Sequence, residues 1–354
     1  MHTEHSAVIG AILGTAVGDA IGLPYEGLSK QRGARRFGEP DRHHFFLGGG
    51  MVSDDTEHTC LVAQALITSG GDTNQFSRHL GARLRWWLLG LPAGIGSATL
   101  KAILKLWCGF SPRHSGVYSA GNGPAMRSAI LGAAVDSLSE VKSLVIASTR
   151  ITHNDPKAEY GALAIALAAH LARQSTPISG DQYLAKLRSF LAGESAEEFL
   201  DLIERAVQSA ASHESTPSFA ESQGWVSGVS GYVYQTVPVV IQAWLQNQQD
   251  LQAGVMTVIR CGGDTDTTGA IVGGIIGAHV GKAGIPATWL RGLHEWPRSV
   301  SWMERLGQRL TDTLRDGKPG RRALRLSIVG LFCRNLLFFV IVLVHGFRRL
   351  LPPY

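Results

Sequence analysis

The sequence predicts an all-α protein, with a single large multi-helix domain followed by an apolar, helical C-terminal tail. Long segments rich in Ala, Leu and Gly carry small and large apolar residues at helical spacing, as in EYGALAIALAAHLAR at 159–173. The alternating pattern of Val, Ile and Thr that is typical of strands is scarce. Hydrophobic residues make up 45% of the chain and charged residues 17%, which excludes a disordered chain and a coiled coil.

Helical periodicity accounts for most of the chain when it is followed from the N-terminus. Each predicted helix repeats apolar residues three or four positions apart, and several begin beside a Ser, Thr or Asp that can cap the first turn. The predicted helices cover 7–21, 57–68, 73–89, 123–135, 140–150, 159–173, 179–192, 196–212, 233–246, 251–261, 268–281 and 286–293. Turn-rich segments lie between them at 46–54, 110–123, 152–157 and 223–231, where we expect a site carried on a rigid scaffold.

Basic residues are concentrated at the C-terminal end. The chain holds 33 Lys and Arg against 28 Asp and Glu, which gives a formal net charge of +5. After Gly320 there are six arginines and no acid, so residues 1–319 hold 27 basic and 28 acidic residues. The main body is therefore near neutral, and specific nucleic-acid binding is not expected from it.

The four cysteines are Cys60, Cys108, Cys261 and Cys333, and they stand far apart without a CxxC pair. This spacing indicates neither a disulfide framework nor a thiolate zinc site. It fits a reducing, cytoplasmic setting.

Two acidic clusters stand directly before predicted helices. The first is SDDT at 53–56, and the second is GGDTDTT at 262–268. N-capping is the simplest interpretation of the first cluster, since Ser and Asp accept hydrogen bonds from a first helical turn. Capping explains one acid of the second cluster but not two.

Bound metal is the alternative to capping. Neighbouring ionised carboxylates repel one another, so four acids in two clusters indicate a neutralising cation. Oxygen ligands from Asp, Ser and Thr suit Mg²⁺ or Mn²⁺, whereas zinc would favour a Cys or HxxxH pattern. Two ions could be held if the clusters meet in space, which their spacing in the sequence cannot show. Gly262 and Gly263 would let backbone and ligand approach closely.

Five motifs follow one another along the chain. They read GTAVGDAIGLPYEG at 14–27, SDDT at 53–56, GNGPAMR at 121–127, TH at 152–153 and GGDTDT at 262–267. In this order they resemble the ADP-ribosylglycohydrolases, which include the dinitrogenase reductase-activating glycohydrolase and the ADP-ribosylarginine hydrolases. The resemblance implies a single large orthogonal helical domain of that type over 1–318. The basic, apolar tail at 319–354 lies outside it.

The resemblance also implies a reaction and a cofactor. The reaction is hydrolysis of the glycosidic bond at the anomeric carbon of ADP-ribose, which releases ADP-ribose from a protein side chain or another acceptor and reverses ADP-ribosylation. The cofactor is a pair of Mg²⁺ ions, with Mn²⁺ as an alternative. The positions that match the metal ligands are Ser53, Asp54, Asp55, Asp264, Asp266 and Thr267. Glu26 and Asp55 are both candidates for handling the proton. Asp19 is less persuasive as a catalyst, because hydrogen bonding to neighbouring loops explains it equally well.

A third group of residues is predicted to contact the substrate. These residues are Gly121, Asn122, Gly123, Met126, His153 and Tyr232. The glycines precede a predicted helix whose free N–H groups could receive the diphosphate, although Asn-Gly is also an ordinary turn pair. The role of His153 rests on the resemblance alone. Tyr232 could offer an aromatic face to the adenine or be a core residue.

The sequence leaves the acceptor open. Residues 106–135 hold no acid, although in relatives this stretch includes the loop near the scissile bond. An arginine-linked substrate would present a guanidinium, for which a carboxylate is the natural partner. Glu26 or Glu159 could supply that carboxylate; an ADP-ribosylated protein, nucleic acid or small acceptor all stay open. Two other functions are a catalytically silent ADP-ribose-binding or structural member, and a metal phosphohydrolase that would release AMP.

The tail has two interpretations. Residues 326–347 hold fifteen Leu, Ile, Val or Phe, which is enough to span a bilayer at about 20 residues. Arg334 in the middle weighs against a span. We expect membrane contact through 326–347, and the alternative is a helix packed on the domain or on a second copy, with Arg334 extending towards solvent.

Overall fold

The computed structural model describes residues 4–45, 47–174, 176–317 and 321–348. Within these ranges the secondary structure is helical, apart from isolated β-bridges between loops. The predicted all-α class is therefore confirmed. The α-helices are α1 (Glu4–Gly22), α2 (Lys30–Phe37), α3 (Asp54–Ser69), α4 (Thr73–Leu89), α5 (Ser97–Trp107), α6 (Ala129–Ala134), α7 (Leu138–Thr152), α8 (Pro156–Ala172), α9 (Gly180–Phe190), α10 (Glu197–Ala211), α11 (Thr216–Ser222), α12 (Val233–Gln246), α13 (Leu251–Ile259), α14 (Thr265–Val280), α15 (Ala287–Gly292), α16 (Val300–Asp316) and α17 (Ile328–Arg348).

The sequence prediction omits four of these helices, namely α2, α5, α11 and α16. It relied on long Ala- and Gly-rich segments, which mark helices that are buried on most sides. The omitted helices bury only one stripe; α16, for example, buries Trp302, Leu306 and Leu310 and exposes charged residues between them. The predicted helix at 123–135 is also broken. It starts as a 3₁₀ turn at Ala125–Arg127, in which the N–H of Ser128 bonds the carbonyl of Ala125 at 3.1 Å, before α6 begins.

A row of glycines brings α1 and α14 together in antiparallel contact. A Cβ at Gly14 would lie 2.1 Å from the carbonyl oxygen of Gly273, and the reciprocal Cβ at Gly273 would lie 2.2 Å from that of Gly14. The same contact recurs one turn along at Gly18 and Gly269, so the two backbones touch where any side chain would separate them. This packing places the end of α1 beside the start of α14, where the second acidic cluster lies.

The apolar tail forms α17, one face of which packs on the rest of the molecule. In the described part of the chain two helical stretches are long and apolar enough to cross a membrane, Ser6–Tyr25 and α17. In the most apolar 18 residues of each, 89% of the first and 28% of the second are buried. The first is a core helix. Arg334 of α17 is buried and does not extend towards solvent, because it pairs with Glu295 of the domain at 2.7 Å.

Candidate active site

The two acidic clusters meet at the junction of α1, α3 and α14. Asp55, in the first turn of α3, accepts hydrogen bonds through Oδ2 from Ser53 Oγ at 3.0 Å and from Thr267 Oγ1 at 3.2 Å. Carboxylate oxygens of Asp19, Asp55 and Asp266 all lie within 4.8 Å of one another. Segments that are far apart in the sequence thus contribute to one buried cluster.

Asp19 has a larger part in this cluster than the sequence suggests. Its carboxylate accepts hydrogen bonds from the N–H of Ser53 at 2.9 Å and the N–H of Thr56 at 3.2 Å. The expected hydrogen bonding to a neighbouring loop is therefore present, and it fixes the start of α3. Burial raises the pKa of Asp19 to about 7. An acid in a helix of Gly, Ala and Val is the sequence signal that marks it.

The donor set fits a hard divalent cation. Oδ1 of Asp55 and Oδ1 of Asp266 are buried and have no hydrogen-bond partner among the described residues. Burial, followed by repulsion from neighbouring carboxylates, raises the pKa of Asp54, Asp55 and Asp266 well above the ordinary value. Buried carboxylate oxygens without partners are destabilising unless a cation contacts them.

The predicted ligands occupy two helix starts. Ser53 is the N-cap of α3, and its Oγ accepts from the N–H of Asp55 at 3.3 Å, so the capping interpretation also applies. Asp264 stands at the N-cap position of α14 without capping it, and its Oδ2 accepts from Asn122 Nδ2 at 2.7 Å. Gly263 has a φ of 85°, and a Cβ there would lie 2.1 Å from the carbonyl oxygen of Val229. Glycine therefore allows the turn that directs Asp264 towards the 121–123 loop.

A cavity of about 290 Å³ opens above the acidic cluster. Most of the residues predicted for catalysis, metal binding and substrate binding line it. They are Glu26, Ser53, Asp54, Gly121, Asn122, Gly123, Met126, His153, Asp264, Asp266 and Thr267. Asp55 is fully buried and lies outside that lining.

The 121–123 loop is held against His153. A Cβ at Gly121 would lie 3.1 Å from His153 Nε2, and one at Gly123 would lie 3.2 Å from Cε1 of the same ring. His153 is buried at the C-terminal end of α7, where its Nδ1 bonds Thr152 Oγ1 at 2.9 Å. Burial, together with the nearby charge of Arg127, lowers the pKa of His153 to about 3, so its ring is neutral near pH 7.

The loop does not precede a long helix, which corrects the predicted source of positive potential. The three-residue turn Ala125–Arg127 follows it directly, and the six-residue α6 begins only at Ala129, so the N-terminus of a long helix does not face the loop. The guanidinium of Arg127 supplies a charge instead. It is fully buried, and it donates to the carbonyl oxygen of Gly123 at 3.2 Å and to Thr152 Oγ1 at 2.7 Å. Burial lowers its pKa to about 10, which leaves it charged at neutral pH.

Arg127 was not among the predicted site residues. Its signal in the sequence is a single Arg in the small-residue run AMRSAILGAA, where a charge has no obvious solvent contact.

Two residues lie away from the cavity lining. Tyr232 is 36% exposed, and its hydroxyl accepts a hydrogen bond from Lys157 at 3.2 Å, so it is not a core residue. Its neighbour Gly231 lines the cavity. Glu159 pairs with Arg150 through both carboxylate oxygens, at 2.9 and 3.2 Å, and so it is not placed to receive an acceptor.

Comparisons with known proteins point to one family. A family model described as ADP-ribosylglycohydrolase matches residues 1–319. The ADP-ribosyl-dinitrogen reductase glycohydrolase of Rhodospirillum rubrum is 27% identical over 304 residues, which cover 81% of this chain and 90% of that protein. The ADP-ribosylarginine hydrolase Tri1 of Pseudomonas putida is 26% identical over 331 residues, with 88% of this chain and 78% of that protein covered. A solved ADP-ribosylglycohydrolase-related protein complex has a TM-score of 0.67 at 27% identity and covers 89% of this chain and 100% of its own.

Proposed function

Because the chain belongs to the ADP-ribosylglycohydrolase family and is an ADP-ribosyl hydrolase, we propose that it cleaves the glycosidic bond of ADP-ribosylated substrates with the help of two Mg²⁺ ions. Mn²⁺ would be an alternative. The observation that carries this proposal is the buried acidic cluster with two unpartnered carboxylate oxygens above which the cavity opens. We take residues 1–318 as the catalytic domain and 319–354 as the tail.

The proposed ligands keep the roles predicted from the sequence. Ser53, Asp54, Asp55, Asp264, Asp266 and Thr267 would hold the ions. When bound, such ions orient ribose hydroxyls and stabilise negative charge that develops as the bond breaks. Asp19 acts as a positioning residue, because its hydrogen bonds to the N–H groups of Ser53 and Thr56 fix the first turn of α3.

We assign the proton-transfer role to Glu26 rather than Asp55. Glu26 is exposed and lines the cavity, where it can reach a substrate. Asp55 is fully buried and already accepts hydrogen bonds from Ser53 and Thr267. A general acid or base must reach the proton that it transfers, and Glu26 meets that condition.

The 121–123 loop would receive the diphosphate. Backbone groups of Gly121 and Gly123 border the cavity, and the buried charge of Arg127 lies directly beneath Gly123. A fixed positive charge at this position favours an anion in front of that loop. Met126 and His153 complete this side of the cavity. Tyr232, which follows the cavity-lining Gly231 in the chain, is the contact proposed for adenine.

Among the acceptors, we propose the arginine side chain of a modified protein. Two relatives are named for arginine or for dinitrogen reductase. Glu26 is the carboxylate outside the acidic cluster that lines the cavity, and it could pair with a guanidinium as the leaving group departs.

Product analysis tests the reaction and the acceptor together. The chain would be incubated with Arg-, Ser- and nucleic-acid-linked ADP-ribose, with Mg²⁺ or with EDTA. We expect free ADP-ribose from the arginine-linked substrate, loss of turnover in EDTA and in Asp55→Ala, and unchanged turnover in the exposed control Asp201→Asn. AMP as the product would show a phosphohydrolase instead. Full activity of Asp55→Ala would refute the metal assignment.

We also propose that α17 contacts an anionic membrane surface without crossing the membrane. Its outer face exposes large apolar residues such as Phe332, Val344 and Phe347. Arg325 stands before the helix and Arg348 is its last residue, and both complement anionic lipid headgroups. The buried pair of Arg334 with Glu295 holds the opposite face on the domain.

Sedimentation with vesicles tests this contact. The full chain should sediment with vesicles that contain phosphatidylserine, and Val344→Glu should weaken sedimentation strongly. Equal recovery in the supernatant with and without vesicles would exclude the contact. The four cysteines are free in the structure, and a cytoplasmic location stays a prediction.

A further inference from the structure

The tail helix reaches the catalytic cavity. Phe338 and Val342, one turn apart on α17, line the same cavity as Glu26, Asp54 and Asp266. The family match ends at residue 319, before α17 begins. This wall of the cavity is therefore contributed by a segment outside the matched family region.

A buried ionic network fixes α17 in this place. Arg334 donates to both carboxylate oxygens of Glu295, at 2.8 and 2.7 Å, and to the carbonyl oxygen of Val52 at 2.5 Å. Val52 immediately precedes Ser53, the first of the proposed ligands. A pair that is buried and bonded on both sides holds its partners in one geometry, because either charge alone would be buried without compensation.

Further contacts show which side of the cavity α17 covers. Asn335 donates to the carbonyl oxygen of Gly90 at 2.7 Å, and His345 bonds that of Pro24 at 3.1 Å. Phe338 packs with Leu23 and Met51 in a small apolar cluster. The helix thus covers the side that carries the 23–26 turn.

The 121–123 loop occupies a different part of the cavity. Its backbone bonds to Gly231, where Asn122 N–H reaches the carbonyl oxygen at 2.9 Å, and its glycines pack on His153. A substrate whose diphosphate lies on that loop and whose anomeric carbon lies over the acidic cluster would direct its acceptor towards Glu26 and α17.

We propose that α17 is the acceptor-side wall of the active site and that Phe338 and Val342 disfavour bulky acceptors, so that the folded surface around a modified arginine slows its cleavage. This inference rests on the proposed function. With α17 in place the cavity measures about 290 Å³, near the lower end of the roughly 300–1,000 Å³ that is usual for ligand sites. The wall is apolar, so it limits the acceptor by its shape. A bulky polar acceptor would lose hydrogen bonds with water on entering the cavity, and the side chains of Phe338 and Val342 cannot replace them.

The test compares two substrates that share ADP-ribose and differ in the acceptor. One is ADP-ribosyl-arginine as a free small molecule, and the other is a folded protein ADP-ribosylated on arginine. For Phe338→Ala we expect kcat/KM for the protein substrate, divided by that for the small molecule, to rise about tenfold over the unsubstituted chain. Phe339→Ala is the matched control, because it removes the same side chain from the exposed face of the same helix, and in lipid-free buffer its ratio should not change.

Each result decides the proposal. An unchanged ratio in Phe338→Ala, or an equal change in Phe339→Ala, would overturn it. If Phe338→Ala fails to fold, Val342→Ala against the exposed control Val344→Ala makes the same comparison on a smaller side chain. If the unsubstituted chain hydrolysed neither substrate, the proposed function would be refuted. That outcome differs from hydrolysis of both substrates with the same kcat/KM ratio in Phe338→Ala as in the unsubstituted chain, which would refute only the role of α17.

Discussion

Two buried carboxylate oxygens are the strongest evidence in the structure for a bound cation. Asp266 Oδ1 is buried without a hydrogen-bond partner in the described part of the chain, and neighbouring acids raise the pKa of Asp266 in addition to its burial. Asp266 therefore destabilises the folded chain in the absence of a cation, and it contributes to stability and activity only when a cation is bound. Opposite effects on stability and on activity follow from this situation.

Asp266→Asn should separate those effects. Without metal, the variant should unfold at a higher temperature than the unsubstituted chain, because one repelling charge is removed while the shape is kept. With Mg²⁺ it should gain much less stability than the unsubstituted chain, which a ligand at one hundred times its Kd would stabilise by about 2.7 kcal/mol. Thermal unfolding with EDTA or Mg²⁺ measures both.

Asp201→Asn is the control for that comparison, since Asp201 is exposed on α10. Equal responses of the two variants to Mg²⁺ would contradict the assignment of Asp266 as a ligand.

At the scale of helices, backbone contact between α1 and α14 fixes the position of the acids. The carbonyl oxygen of Gly273 occupies the space that a methyl group at position 14 would need. Neither helix can shift sideways without breaking contacts along its whole length, because interiors are close-packed.

Gly14→Ala should destabilise the chain by about 1–3 kcal/mol, the usual effect of overpacking, and it should reduce turnover although no site residue changes. Gly346→Ala is the matched helical control. A Cβ at position 346 meets nothing within 4 Å, so the substitution should stabilise α17 slightly. Urea unfolding and turnover measured together test this, and equal effects of the two substitutions would exclude the proposed tight contact.

The ion pair between Arg334 and Glu295 attaches α17 to the rest of the molecule. Arg334→Met leaves Glu295 buried without its partner and should cost about 3–5 kcal/mol of unfolding free energy. The double variant Arg334→Met with Glu295→Gln should recover much of that loss, because no uncompensated charge is then buried. A double-mutant cycle in urea measures the coupling, and additive losses would show that the pair does not hold the tail.

On the scale of the whole molecule, the apolar-rich composition and the order of five motifs predict the helical fold and most of the cavity lining. The sequence could not show that residues 19, 55 and 266 converge, because that depends on α1 and α14 packing through their glycines. Burial of His153 and exposure of Tyr232 depend on which way the loops around them turn. The pairing of Arg334 with Glu295 was unpredictable for the same reason: its partner stands in a loop of the domain, and the tail considered alone resembles a membrane span.

Stability of the metal-free molecule should depend on pH in an unusual direction. The pKa of Asp19 is raised to about 7, above its value in the unfolded chain, so the folded state holds the proton more tightly. The free energy of unfolding contributed by this group is fully present below about pH 4 and is lost as the pH rises to about 7, by about 1.4 kcal/mol for each unit of pKa difference. The pKa of Asp55 is raised as well and acts in the same direction.

Unfolding in EDTA across pH 4 to 8 checks this, with parallel samples in Mg²⁺. The stabilisation by Mg²⁺ should grow as the pH rises, because the ion replaces protons. A gap between the two curves that does not vary with pH would contradict the link between the acids and the ion.

The glycine contact between α1 and α14 also fixes how far one helix is displaced along the other. It runs from Gly22, near the cluster, to Gly10, twelve residues away, which is about 18 Å along a helix. A slip of one turn along this row would carry Asp19 about 5.4 Å away from the N–H groups that it now fixes. Inactivating substitutions are thus expected at remote, featureless glycines such as Gly10 and Gly277, where a search for catalytic residues would not look.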